Sequence, residues 1–265
     1  MGGAMLRSWI KNDIIATAHI MTPSPLSDDL TPYKNIHHIP DASNHKIESN
    51  ILILAVKPQI IADVSRVITP NLSKDTIILS IIAGQSLDAL TRIFGANRPI
   101  IRCMPNTPAS IGKGISVAIA NNQSSDLDKT CATQLLSCSG ECIWIEDESQ
   151  MNAVTALSGS GPAYIFHLIE IMAKAGESIG LPRDISMKLA RQTVIGSAAL
   201  AEHDSDIPAS TLRENVTSPG GTTQAALNVL MNGNKHRLSC SQTAILSEPA
   251  AFFCIIRRNH WIIRR

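Results

Sequence analysis

Two short runs of nearly uninterrupted apolar residues, ILILAV at 51–56 and IILSII at 77–82, constrain the fold of this chain more than any other feature. Strands with apolar side chains on both sides are typical of a parallel sheet covered by helices on both faces. The strands that contain these runs are predicted at 50–56 and 76–82, and the others at 14–20, 100–104, 115–120 and 142–145. Helix-like segments separate the strands, at 59–67 and 87–94 among others, so the sequence predicts an α/β fold with a doubly wound sheet.

The patterning changes after Ser149, where the β-rich runs stop. From there on, apolar residues recur at helical spacing, and Pro162 suits the first turn of a helix. The predicted helices cover 162–176, 184–201, 211–216 and 222–233. We therefore expect two domains, an α/β domain at 1–149 and an all-helical domain at 150–265.

Composition narrows the class of protein. Lys plus Arg (23) and Asp plus Glu (22) nearly balance, so the net charge of +1 favours neither nucleic acid nor a membrane surface as a partner. Aromatic residues make up only 3%, no apolar run is long enough to span a bilayer, and the start does not resemble a signal peptide. The six cysteines form no CxxC pair, which favours reduced thiols over a metal site. We expect a cytoplasmic protein with no metal.

The amino end resembles the middle of a dinucleotide-binding unit. A helix-like stretch begins at once, so the first strand and the first two glycines of a G-x-G-x-x-G turn are expected upstream of residue 1, with Gly2 as the third glycine. About 20 residues further on, Thr22 and Ser24 stand where an acidic residue would contact a ribose 2′-hydroxyl. Hydroxyls there favour NADP over NAD, and an ordinary polar turn is the alternative interpretation.

Two loops follow predicted strands at the edge where open α/β sheets bind ligands. Ala55-Val56-Lys57-Pro58 ends one strand, and Asn106-Thr107, held between two prolines, follows another. Each loop alone is equally compatible with a plain strand-to-helix connection. Together they predict a shared cleft.

Ser218-Pro219-Gly220-Gly221-Thr222-Thr223 leads directly into a helix. Unpaired N–H groups at a helix start, with nearby hydroxyls, bind a carboxylate or phosphate. A Pro-Gly turn with an ordinary Thr cap is the alternative. A second small-residue turn, which includes Ser160 and Gly161, either admits a flat ring or lets helices pack closely. Neither a Ser/His/Asp order nor paired carboxylates are evident, so a cofactor is expected to carry the chemistry.

Taken together, these motifs resemble the pyrroline-5-carboxylate reductases, which catalyse the last step of proline biosynthesis. The resemblance extends from residue 1 to about 234. The matching segments are AVKP at 55–58, RCMPNTPA at 102–109, TALSGSGPAY at 155–164, GLPRD at 180–184 and VTSPGGTT at 216–223.

The resemblance implies a Rossmann-like domain that lacks its first strand, followed by a helical dimerisation domain. It implies reduction of the cyclic imine 1-pyrroline-5-carboxylate to L-proline by NADPH, with NADH as a possible substitute. Thr223 is the implied catalytic residue, placed to hydrogen-bond the ring nitrogen. The implied substrate-binding residues are Ser218, Gly220, Gly221, Thr222 and Thr223. The implied cofactor-binding residues are Gly2, Thr22, Ser24, Ala55, Val56, Lys57, Pro58, Asn106, Thr107, Ser160 and Gly161.

Family resemblance also implies a homodimer or a ring of dimers, paired through the helices at 162–176 and 184–201, with sites completed by both chains. The sequence from residue 235 onward departs from the family's pattern, and we interpret it as an altered tail. Two alternatives to a working reductase stay open. One is a truncated, catalytically impaired relative that acts at most as a pairing scaffold, and the other is a reductase of another small anionic imine.

Overall fold

The computed structural model describes residues 1–232, so the expectations for the tail from 235 lie outside the described residues. The chain divides into two compact units, Met1–Ser160 and a second that begins at Gly161. This division falls later than the predicted 149/150 boundary because the segment after Glu148 contacts the sheet. A Cβ atom added at Gly159, for example, would lie 2.7 Å from the Met104 Cε on a strand of unit 1.

Unit 1 is an α/β unit. Its strands are β1 (Ala18–Met21), β2 (Ile36–Ile39), β3 (Ile51–Leu54), β4 (Ile77–Ser80), β5 (Ile100–Met104), β6 (Gly114–Ala120) and β7 (Gly140–Trp144). Its helices are α1 (Gly2–Lys11), α2 (Ile61–Ile68), α3 (Leu87–Phe94), α4 (Asp126–Ser137) and α5 (Met151–Val154), and a π-helical turn at Thr155–Gly159 follows α5.

Hydrogen bonding separates these strands into two groups. β1 and β2 form a parallel pair, and the other five strands form one sheet in the order β3-β4-β5-β6-β7. All neighbours in that sheet are parallel except β5 and β6, which are antiparallel. The doubly wound α/β fold predicted from the sequence is confirmed. Within residues 1–232 no strand precedes α1.

Two apolar clusters cover opposite faces of the sheet, which explains the uninterrupted apolar runs. In β4, Ile77 and Leu79 belong to the first cluster and Ile78 belongs to the second. All four residues of β4 are buried. Helix α1 packs on the first cluster through the buried side chains of Met5, Leu6 and Trp9.

Two elements of unit 1 differ from the sequence-based expectation. The sequence predicted no strand at 36–39, but Ile36–Ile39 form β2, which pairs in register with β1. Helix α4 was not predicted. It begins with a capping box in which the Ser125 side chain accepts from the Asp128 N–H and the Asp128 carboxylate accepts from the Ser125 N–H.

The second unit is helical, as predicted. Its helices are α6 (Gly161–Ser178), α7 (Arg183–His203), α8 (Ala209–Asn215) and α9 (Thr222–Asn232). Helices α6 and α7 pack closely, since a Cβ atom added at Gly176 would lie 2.8 Å from the Ser186 hydroxyl oxygen. No helix in the described part of the chain is both long and apolar enough to cross a membrane.

Candidate active site

The start of α1 lies against the loop that follows β3. A Cβ atom added at Gly2 would lie 2.7 Å from the Ala55 Cβ, closer than real side chains approach. Only glycine therefore fits at this point without movement of the backbone. Among residues 1–232, the N–H groups of Gly2 and Gly3 have no acceptor, because the first bonds of α1 run from Ala4 and Met5 to Met1. Residues 55–58, at the carboxyl end of β3, thus meet a helix N-terminus.

Asn106 fixes the loop that follows β5. Its side-chain Oδ1 accepts from the Ile115 N–H at 2.9 Å, and its Nδ2 donates to the Ser158 carbonyl at 3.2 Å. The amide therefore ties the end of β5 to β6 and to the π-helical turn. Thr107, the next residue, is exposed and opens a short 3₁₀ turn.

The small-residue turn at 158–160 belongs to the same region of unit 1. A Cβ atom at Gly159 would lie 2.7 Å from the Met104 Cε, so this turn packs directly on the end of β5. The Ser160 N–H donates to the Thr155 carbonyl at 2.9 Å and closes the π-helical turn. Ser160 is thus brought near Asn106, whereas Gly161 begins the second unit.

The end of β1 carries hydroxyls and a histidine. The Thr22 hydroxyl accepts from the Ser24 N–H at 3.3 Å, and the Thr22 carbonyl lies 2.9 Å from the His38 Nε2. The acidic residue Asp29 is engaged elsewhere, because the Arg7 guanidinium hydrogen-bonds it and lowers its pKa to about 2. His38 is not among the site residues predicted from the sequence.

In the second unit, the glycine turn ahead of α9 presents backbone donors. Gly220 has φ of +71°, a conformation that other residues rarely adopt. The Gly221 N–H donates to the Ser218 carbonyl at 3.0 Å. Among the described residues, the N–H groups of Thr222, Thr223 and Gln224 have no acceptor, since the first bond into α9 comes from Ala225.

Gln224 is a residue that sequence reasoning missed. Its Oε1 accepts the Gly220 N–H at 2.6 Å, so the N–H groups of both Gly220 and Gly221, which were predicted to bind a substrate anion, are already paired. The contact depends on the turn that Gly220 makes, which no local pattern discloses. The segment 222–224 is exposed, so its free N–H groups and the hydroxyls of Thr222 and Thr223 are accessible.

The four cysteines among residues 1–232 show no sign of a reactive thiolate. Burial raises the pKa of the Cys103 thiol, and the Cys131, Cys138 and Cys142 thiols shift in the same direction for the same reason. A raised pKa leaves a thiol protonated and unreactive near neutral pH. Within residues 1–232, no group of three His, Cys, Asp or Glu side chains is placed to hold a metal ion.

Known proteins that are similar to this chain include several pyrroline-5-carboxylate reductases. Residues 148–245 match the family described as pyrroline-5-carboxylate reductase dimerisation, and residues 1–84 match the family described as NADP oxidoreductase coenzyme F420-dependent. A pyrroline-5-carboxylate reductase of Pseudomonas aeruginosa is 44% identical over 180 residues, which are 68% of this chain and 66% of that protein. The chain therefore matches just under two thirds of that relative's length.

Two solved structures extend the likeness to nearly the whole chain. A pyrroline-5-carboxylate reductase from Coxiella burnetii is 30% identical with a TM-score of 0.81, covering 97% of this chain and 93% of that one. The Plasmodium falciparum pyrroline carboxylate reductase, with NADP bound, is 28% identical with a TM-score of 0.76, covering 97% and 92%.

Proposed function

The chain belongs to the pyrroline-5-carboxylate reductase family, and from this premise we propose that it reduces 1-pyrroline-5-carboxylate to L-proline with NADPH. The observation that carries the proposal is the start of α9, where Thr222, Thr223 and Gln224 offer N–H groups without acceptors. A helix N-terminus with free donors is a site for a carboxylate. The substrate has one carboxylate, next to the ring nitrogen.

The residues at the start of α9 bind and orient the ring in this proposal. The N–H groups of Thr222 and Thr223 and the Ser218 hydroxyl hold the carboxylate. The protonated imine nitrogen donates to the Thr223 hydroxyl oxygen, which fixes the orientation of the carbon that is reduced. A protonated imine is already electrophilic, so the protein's main contribution is positioning rather than strong acid catalysis. Hydride addition to the protonated imine gives a neutral amine. This amine then takes up a proton from solvent, directly or through Thr223.

The strand ends of unit 1 fit the cofactor. When bound, NADPH supplies the hydride that adds to the imine carbon. The free N–H groups of Gly2 and Gly3, together with the lack of a side chain at Gly2, suit a pyrophosphate at the start of α1. The hydroxyls of Thr22 and Ser24 suit a ribose that carries a 2′-phosphate, because neither side chain carries a negative charge that would repel it. The loops at Ala55–Pro58 and Asn106–Thr107, with Ser160 and Gly161, complete the proposed cofactor set.

Pairing of two chains is the second part of the proposal. The chain carries the family's dimerisation region. Large apolar side chains are exposed on its helices, including Phe166 (60%) on α6 and Leu189 (53%) and Ile195 (52%) on α7. Exposed apolar surface of this kind marks an interface. A homodimer, or a ring of dimers, buries these side chains, and a cytoplasmic location remains a prediction.

The test compares two imines that differ only in the carboxylate. NADPH oxidation is measured with 1-pyrroline-5-carboxylate and with 1-pyrroline, which has the same ring. We expect kcat/KM to be about 30-fold lower for 1-pyrroline, because charge-assisted hydrogen bonds contribute about 2 kcal/mol. Equal kcat/KM values for the two imines would show that binding of the carboxylate does not contribute to the reaction. Absence of oxidation with both would favour the non-catalytic scaffold.

A further inference from the structure

Gln224, the third residue of α9, bonds back to the turn that precedes the helix. Its Oε1 accepts the Gly220 N–H at 2.6 Å, although the side chain is exposed to solvent. The bond spans four residues and joins the first turn of α9 to a residue that lies ahead of the helix. It therefore fixes how the glycine turn sits on the helix.

The glycine turn is a type II β-turn over residues 218–221. Pro219 occupies its second position, and Gly220, with φ of +71°, occupies the third. These are the positions at which a type II turn favours proline and glycine. The Gly221 N–H donates to the Ser218 carbonyl at 3.0 Å and closes the turn. With the contact of Gln224, both glycine N–H groups are engaged within the protein.

This pairing decides which donors are left for a ligand. Among residues 1–232, the N–H groups of Thr222, Thr223 and Gln224 have no acceptor, because the first bond into α9 comes from Ala225. These three N–H groups are consecutive, and the first N–H groups of a helix are the ones that need a partner from outside it. A carboxylate at this helix start thus meets three backbone donors whose position depends on the glycine turn.

The type of side chain at position 224 bears on the charge of the site. In a capping box, Glu or Gln at the third helical position accepts a backbone N–H at the start of the helix. Glu would also interact favourably with the helix dipole, whereas Gln forms the bond without a charge. No acidic residue lies in the first turn of α9. The helix therefore keeps the positive potential of its N-terminus and forgoes the stability that Glu would add.

We propose that Gln224 is a positioning residue that makes this site specific for anionic substrates. Its carboxamide holds the glycine turn, which orients the N–H groups of Thr222 and Thr223, and its neutrality lets a carboxylate approach them. The inference rests on the proposed function, because it takes the start of α9 as the site of the substrate carboxylate. It adds that a carboxylate side chain at position 224, which can form the same bond, repels the substrate.

The experiment uses the full chain without NADPH and two ligands that cannot react. Cyclopentanecarboxylate has a five-membered ring and a carboxylate, and cyclopentanecarboxamide is its neutral counterpart. Binding is followed by NMR at the amides of Thr222 and Thr223, at low ionic strength. In Gln224→Glu, we expect the Kd of the carboxylate ligand to rise about 30-fold, because a like charge stands beside it. The Kd of the carboxamide should change by less than about twofold, since a neutral ligand is not repelled.

Salt and thermal stability distinguish this role from a merely structural one. At about 1 M salt, the effect of Gln224→Glu on the Kd of cyclopentanecarboxylate should fall to a few-fold, because salt screens charges. The Tm of the same variant should be equal or about 1–2 °C higher, since a negative charge suits a helix N-terminus. A residue with only a structural role would lose stability and affinity together.

Two further variants serve as controls. Asn228→Asp adds a carboxylate at an exposed position one turn along the same face of α9. It should change the Kd of cyclopentanecarboxylate by less than about threefold, because it lies farther from the glycine turn. Gln224→Met keeps the length of the side chain but removes the acceptor of the Gly220 N–H. It should weaken binding of this ligand about fivefold, the effect of one lost hydrogen bond.

Three results would overturn the inference. The first is that the amides of Thr222 and Thr223 in the unaltered chain do not respond to cyclopentanecarboxylate. The second is an unchanged Kd of this ligand in Gln224→Glu, or an equal rise in Asn228→Asp. The third is a lower Tm in Gln224→Glu. NADPH oxidation by the unaltered chain is measured separately, so failure of the reductase and failure of the role of Gln224 are distinguishable.

Discussion

Replacement of Thr223 by alanine is expected to lower kcat about a hundredfold, the lower end of what one positioned proton-handling group contributes. Loss of the hydroxyl removes the partner of the ring nitrogen, so the imine carbon is no longer held in one orientation. The Kd of NADPH is expected to stay unchanged, because the proposed cofactor residues lie in unit 1 and at the start of α6. The measurements are steady-state kinetics with 1-pyrroline-5-carboxylate and a fluorescence titration with NADPH.

Two control variants separate this role from a general effect on α9. Thr223→Ser keeps the hydroxyl and should retain most of kcat. Thr222→Ala alters the neighbouring residue, keeps both N–H groups, and should mainly raise KM. An unchanged kcat in Thr223→Ala, or an equal loss in Thr223→Ser, would contradict the role assigned to this hydroxyl.

Substitution of Arg102 by methionine is expected to reduce the free energy of unfolding by about 2 kcal/mol, less than the cost of removing one partner of a fully buried ion pair because Glu148 is partly exposed. The Arg102 Nη1 lies 2.6 Å from the Glu148 Oε1, and the two side chains are 11% and 28% exposed. The same carboxylate oxygen accepts the Leu87 N–H at 2.7 Å at the start of α3. The pair therefore ties β5 to α3 and to the segment that leads into α5. The measurement is urea denaturation.

A double-mutant cycle assigns this loss to the ion pair. Glu148→Gln retains an acceptor for the Leu87 N–H and removes the charge. If the cost in Arg102→Met arises from an unpaired carboxylate, adding Glu148→Gln should restore about half of the lost stability. A loss below about 0.5 kcal/mol in Arg102→Met, the range of ordinary surface substitutions, would show that the pair does not stabilise unit 1.

Prediction from the sequence was most accurate for elements whose local residue pattern matches their burial in the folded chain. Strand β5 and helix α3 coincide with the predicted 100–104 and 87–94. The four helices of the second unit were also predicted, with ends that differ by a few residues. Strand β1 was placed too early, at 14–20, because Ile14 and Ile15 are apolar, whereas pairing with β2 begins only at Ala18.

The missed elements depend on long-range contacts or on weak local signals. Strand β2 carries two histidines at its centre, and its strand character comes from pairing with β1. Helix α4 has a polar composition, and its clearest local signal was the spacing of Ser125 and Asp128. In the site, the glycine and proline motifs could be recognised in the sequence. The contacts of Gln224 and Asn106 could not be predicted, because they form only when the turns bring their partners close. The residue-by-residue assignment of the site stays a prediction.

The account's central claim is that hydride passes from NADPH to the imine carbon of a substrate held at the start of α9. The most direct measurement uses NADPH deuterated at C4, in separate reactions for the two faces of the nicotinamide, with 1-pyrroline-5-carboxylate and the full chain. The account predicts proline with one deuterium at C5 from one of the two labelled forms and none from the other. Proline without deuterium in both reactions, or no proline at all, would contradict it.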